Sequence, residues 1–167
     1  MISKSREKKK IKIMPLIISI GIPFLIGGIT SVLIPNISSI YGDLVKPSFS
    51  PPSIVFPIAW TILYILMGIA SYKVYVLKYD NIDVSSALFV YAIQLLLNFL
   101  WTFIFFGFKL YGLAFLELVV LFLFVMLTIK RFYKKAGKKA AILLFPYLIW
   151  IIYAGVLNFF IWMLNEM

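Results

Sequence analysis

The sequence contains no cysteine and no histidine. Without thiols there is no disulfide framework and no thiol redox chemistry, though this leaves the redox compartment undefined. Without imidazole, the usual zinc sites and the familiar catalytic triads cannot be assembled, and no metal site is expected. Acids are scarce: six Asp and Glu stand against sixteen Lys and Arg, for a net charge of +10. No glycine-rich phosphate loop is present. Any chemistry must come from Trp, Tyr, light or the ligand itself.

What is abundant is apolar. Hydrophobic residues make up 63% of the 167 positions, and the mean hydropathy is +1.05. A soluble domain of this size cannot cover so much apolar surface. The chain reads as an all-α integral membrane protein, multi-pass, in the cytoplasmic (plasma) membrane. The opening "MISKSREKKKIKIMPLIISIGIPFLIGGITSVLIP" is basic and then apolar, like a signal peptide. Its apolar run is longer than a signal peptide's and no A-x-A cleavage site follows, so it reads as a retained first span.

Run length and punctuation predict five transmembrane helices, at about 14–34, 53–77, 85–107, 112–130 and 139–164. Residues 1–13 form a basic tail and 14–167 a single five-helix domain. The segment 35–52 is the only long connection. Positive charge sets the orientation. Six Lys/Arg precede the first span, Lys73 and Lys78 follow the second, and six more lie between 130 and 139; the opposite side holds Lys46 and Lys109. The bias predicts a cytoplasmic N-terminus and an outer C-terminus, with 35–52 outside. The lysines adjoin apolar runs, which fits anionic lipid headgroups rather than nucleic acid.

Polar groups within hydrocarbon are costly and need a partner or a cavity. Tyr91, Gln94, Asn98, Trp101 and Phe105 share one face of the third helix by spacings of three and four. Tyr147, Trp150, Ala154, Asn158, Ile161 and Asn165 do the same on the fifth, and Trp60, Tyr64, Gly68, Ser71 and Tyr75 on the second. Helix rise puts Trp60 about 10 Å below the outer end, Trp101, Glu117 and Asn158 about 9 Å, Asn98 about 14 Å and Trp150 about 21 Å. These groups converge on the outer half of the bundle. The pattern describes an aromatic pocket for a large, flat, mostly apolar ligand. Packing roles stay open beside it: Asn98 and Gln94 as interhelical glue, Trp101 and Trp162 as interfacial belt residues, Gly21, Gly27, Gly28 and Gly155 as close helix contacts. Glu117 of "AFLELVV" reads as a structural hydrogen-bonding partner or a proton relay.

"KPSFSPP", "PIAWTILYILMGIASY", "LLLNFLWTFIFFG" and "PYLIWIIYAGVLNFFIWMLN" together resemble the TspO/MBR family, the tryptophan-rich sensory protein and translocator protein family. The resemblance covers about residues 20–165. It implies a five-helix bundle, often a homodimer, that binds porphyrins and synthetic benzodiazepine or isoquinoline-carboxamide ligands and requires no cofactor. By motif it places Trp60, Asn98, Trp150 and Ala154 in the ligand pocket, with Tyr41, Lys46, Pro47, Phe49 and Pro51 in a lid. Lys46 is expected at the entrance, facing a ligand carboxylate. Phe49 stands where the family's lid has tryptophan. The end "VLNFFIWMLNEM" lacks the Tyr and Arg of the cholesterol pattern of mitochondrial relatives, which argues against sterol binding. The expected function is tetrapyrrole binding in transport, sensing or stress regulation, with the porphyrin plane on Trp60 and Trp150. Light- and oxygen-dependent porphyrin breakdown through pocket tryptophans is the enzymatic alternative. A small transporter or regulatory partner is the third, though no inverted repeat or broken helix is visible.

Overall fold

The computed structural model describes residues 11–167; residues 1–10 of the expected basic tail lie outside the described residues. Seven α-helices form among the described residues: α1 Ile13–Leu33, α2 Ile37–Asp43, α3 Val55–Tyr75, α4 Ser85–Thr102, α5 Tyr111–Ala136, α6 Lys138–Ala141 and α7 Phe145–Asn165. A 3₁₀ run, Val76–Asp80, prolongs α3, and another, Ile142–Leu144, joins α6 to α7. Five rods are long and apolar enough to cross a membrane: Ile13–Leu33, Val55–Asp80, Ser85–Gly107, Tyr111–Ala136 and Lys138–Asn165. The five-span expectation therefore holds.

Three local details differ from the sequence reading. The fourth span runs to Ala136 rather than 130, taking in "KRFYKK". The lysines there extend the helix past the hydrocarbon and favour its negative C-terminal end, until Gly137 turns with φ 76°. The 35–52 connection is not a plain loop, because it contains α2. The third span ends in a π turn, Phe103–Gly107, closed by Phe108 N–H donating to the Phe103 carbonyl at 2.8 Å. The wide turn buries the adjacent rings of Phe105 and Phe106 together.

Packing follows the sequence periodicity. The buried residues of α5 are Tyr111, Ala114, Leu118, Leu121, Val125, Thr128 and Phe132. Their alternating spacing of three and four makes one continuous seam. That seam meets α4 on one side and α7 on the other. α1 is peripheral and buries only Ser19, Pro23 and Thr30. It lies close on α3 because Gly68 has no side chain: a Cβ there would sit 2.5 Å from Ile20 Cα. Gly27 likewise accommodates the Tyr64 ring, whereas Gly21, Gly28 and Gly155 face open space. Lys12, Lys73 and Lys139, at the ends of α1, α3 and α6, gather at one end of the bundle, the basic end. The 35–52 connection covers the other, the lid end.

Candidate functional site

The lid is held by hydrogen bonds within itself and to α7. Lys46 Nζ donates to the carbonyls of Tyr41, Gly42 and Leu44 at 2.7, 2.9 and 2.8 Å. The lysine thus closes the C-terminal end of α2, where a cation is favourable. Its ammonium is turned onto backbone rather than toward an entrance. Tyr41 O–H donates to the Pro51 carbonyl at 2.9 Å. Burial raises the Tyr41 phenol above its ordinary value of 10.0. Pro47 accepts from Ser50 N–H in a tight turn at 3.0 Å. Tyr153 O–H on α7 donates to the Phe49 carbonyl, 3.2 Å away. The Phe49 ring meets Phe160 edge-on at 5.5 Å. Asn165 completes the fastening: Val45 N–H donates to its Oδ1 at 3.0 Å, and its Nδ2 donates back to the Val45 carbonyl at 2.9 Å.

Below the lid the aromatic rings form a column. Tyr41 touches Phe56 at 4.9 Å between centroids, Phe56 touches Trp150 at 5.9 Å, and Trp150 touches Trp60 at 6.3 Å. Trp60 continues to Tyr64 at 5.3 Å and Tyr147 at 6.2 Å. Trp60 and Trp150 are inclined at 77°. A flat ligand can therefore lie on the face of one and meet only the edge of the other, unless a ring turns. Phe56 fills the space between lid and tryptophans, a role the sequence reading missed. Its signal was its place one turn before Trp60.

Beside this column opens a cavity of about 470 Å³ between α1, α3 and α4. Trp60, Tyr64, Asn98 and Trp101 line it, with Phe24 and Phe106. Of the pocket residues expected from the stripes, Trp60, Tyr64, Asn98 and Trp101 thus share one cavity. Ala154 and Asn158 instead border a residual void of about 20 Å³ with Tyr41 and Phe105. Tyr147 and Gln94 are buried in the packed core, 1% exposed each.

Two polar ties lock these helices. Asn98 Nδ2 donates to the Tyr147 hydroxyl at 3.0 Å. Trp101 Nε1–H donates to Asn158 Oδ1 at 3.1 Å, and Asn158 Nδ2 donates to the Tyr111 carbonyl at 2.8 Å. Asn158 therefore engages both ends of its amide in joining α4, α7 and α5. Glu166, absent from the sequence reading, receives the N–H groups of Tyr111 and Gly112 at 3.1 and 2.8 Å. Its carboxylate satisfies two open donors at the start of α5. The readable signal was an acid at the lid end, the side on which α5 begins.

Glu117 lies within the fourth span as expected, but neither carboxyl oxygen has a hydrogen-bond partner. The structure gives no bond for the hydrogen-bonding role anticipated from sequence. Both ends of the Gln94 amide are also buried and unpaired. Gln94 stands one turn inward from Asn98. With the Tyr91 hydroxyl, also buried and unpaired, these are polar groups within the spans that a ligand's polar edge or a water has left to satisfy. Among the described residues no cluster of acids suits a metal.

The sequence profile of the TspO/MBR family matches residues 19–163. The tryptophan-rich protein TspO of Chlorobaculum tepidum is 39% identical over 155 residues, covering 92% of this chain and 98% of that protein. Protein CrtK of Rhodobacter capsulatus is 41% identical over 125 residues, 75% of this chain and 78% of its own. The translocator protein of Ovis aries is 34% identical over 127 residues, 75% of each chain.

Proposed function

Because this chain belongs to the TspO/MBR family of multi-pass membrane proteins, we propose that it binds a flat, largely apolar ligand of the tetrapyrrole class, such as protoporphyrin, beneath the 35–52 lid. Benzodiazepine- and isoquinoline-carboxamide-type compounds share that shape and belong to the same reading. The observation that carries it is the cavity of about 470 Å³ lined by Trp60, Tyr64, Asn98 and Trp101. Its size is ordinary for a small-molecule site, and aromatic walls with one amide suit a large ring with a few polar edges. The Trp60–Trp150 angle adds a step: the ligand rests on Trp60, and Phe56 and Trp150 re-pack against its other face. Names among the relatives, tryptophan-rich sensory protein and translocator protein, fit a role in sensing or movement of such a ligand.

The test is a titration of the purified protein with protoporphyrin, followed by tryptophan quenching. Saturable binding that weakens at least about tenfold in Trp60→Ala is expected, the scale of losing about 1.4 kcal/mol of ring contact. Absence of saturable binding, or equal binding in Trp60→Ala, overturns the reading. The retained Trp60–Trp150 contact favours a second one, light- and oxygen-dependent breakdown of the bound porphyrin. Illumination of the complex decides it: a Soret band no more labile than in detergent alone rules breakdown out.

A further inference from the structure

At the basic end, far from the lid, the molecule has a second cavity of about 590 Å³. Lys12, at the entry to α1, Tyr72 and Lys73, near the end of α3, Tyr79 in the following 3₁₀ run, and Lys139 of α6 surround it. We propose that this pocket is a discrete binding site for the phosphate headgroup of an anionic phospholipid. The site is independent of the ligand reading above.

Charge comes first. The lining carries three lysines and one acid, Asp80, for a net +2 (3 − 1). Three spans that are distant in sequence supply those lysines, so the fold, rather than a run of charge, concentrates them. A basic pocket between helices at a membrane boundary is suited to a phosphate headgroup. The second element is order. Lys12 Nζ rests 3.0 Å from the centroid of the Tyr79 ring, and Lys12 N–H donates to the Tyr72 hydroxyl at 3.0 Å. These contacts fix the lysine at the rim before any ligand arrives. The third is the start of α1, where no side chain caps the opening turn. Its positive end adds to the lysines at the same place.

The remaining lining separates a lipid from free phosphate. Ile11, Val76 and Leu77 supply apolar wall, which a lone phosphate does not use and a glycerol backbone with its first methylenes does. The pocket also lies at the ends of membrane spans, where acyl chains can run on into the bilayer. Diffuse attraction of a basic surface would fall equally on all the lysines of this end. A built site depends on three of them.

Full-length protein in neutral detergent, titrated with phosphatidylglycerol and observed by native mass spectrometry, tests this. One saturable phosphatidylglycerol is expected, with phosphatidylcholine bound at least about tenfold more weakly. The variant Lys12→Gln/Lys73→Gln/Lys139→Gln should lose at least about tenfold in affinity. Lys130→Gln/Lys134→Gln/Lys138→Gln removes the same charge from the same end outside the pocket and should change it by less than about threefold. Equal losses in the two triple variants overturn the proposal, as does displacement by millimolar inorganic phosphate, which would make the pocket a free-phosphate site. Neutralising Lys4, Arg6, Lys8, Lys9 and Lys10 should leave the saturable site in place; its loss would assign binding to the tail. Should the pocket triple variant fail to fold, as judged by its helical signal, Lys73→Gln alone carries the test, with a weakening of about threefold or more expected and none overturning the site.

Discussion

Asn98 Nδ2 donates to the Tyr147 hydroxyl across 3.0 Å, tying α4 to α7 in the interior of the bundle. Tyr147 is 1% exposed, while Asn98 also lines the cavity beside Trp60. One side chain thus joins the packed core to the proposed ligand site. Tyr147→Phe should cost about 1–3 kcal/mol by leaving a buried amide donor without its partner. Asn98→Leu combined with Tyr147→Phe should cost less than the two changes added together, with a coupling of about 0.6–1.7 kcal/mol. Unfolding titrations in mixed micelles on the four proteins of the cycle measure it.

Glu166 makes a similar connection at the lid end. Glu166→Gln weakens, and Glu166→Ala removes, the acceptor of the Tyr111 and Gly112 N–H groups. The expected cost for Ala is about 0.5–2 kcal/mol, the range for losing a helix cap. Amide hydrogen exchange should quicken at residues 111 and 112 and remain unchanged at the basic end of α5.

The lid should loosen at high pH. The Tyr41 phenol is raised above 10.0 by burial, and in its protonated form it donates to Pro51. A raised folded-state value means the stabilisation is complete below pH 10, the unfolded value, and is lost as pH climbs through the folded one. Amide protection at residues 44–52, taken relative to the intrinsic base-catalysed rate, should therefore fall above about pH 10 in the wild type. Tyr41→Phe, which has neither the bond nor the ionisation, should lose protection there at neutral pH and show a smaller alkaline step, since the Tyr153 hydroxyl still holds the Phe49 carbonyl.

Two glycines on opposed faces of the α1–α3 pair separate internal packing from association. Gly68→Ala places a methyl group 2.5 Å from the Ile20 backbone, so the two helices must part. A loss of about 1–3 kcal/mol is expected. A Cβ added at Gly21 meets nothing within 4 Å, so Gly21→Leu should not destabilise the monomer. The family resemblance implies a homodimer, and if the open glycine face of α1 is where copies meet, Gly21→Leu should alter crosslinking in membranes without lowering the melt.

The broad architecture was legible because the bilayer enforces it. Every backbone group within hydrocarbon must be bonded internally, so apolar run length translates into spans. That Asn98 and Trp60 border one cavity was legible because helical spacing and depth together restrict where a polar or aromatic group can lie. Ends were less legible. "KRFYKK" looks like a loop by composition, yet lysines at a helix C-terminus prolong it beyond the membrane.

The sequence by itself determined five apolar rods, their polar and aromatic stripes, and the placement of the basic residues. Tertiary structure alone decided which stripes meet. Spacing put Trp60 and Trp150 on facing stripes, but only packing set them at 77° with Phe56 between lid and tryptophans. Lys46 was read as an entrance charge, and the fold turned it onto the end of α2, because unpaired helix carbonyls are its nearest strong acceptors. Lys12, Lys73 and Lys139 come from separate segments and share one cavity only once α1, α3 and α6 are side by side. Periodicity fixes which face of a helix is buried, whereas the partner that face meets depends on contacts between segments distant in the chain.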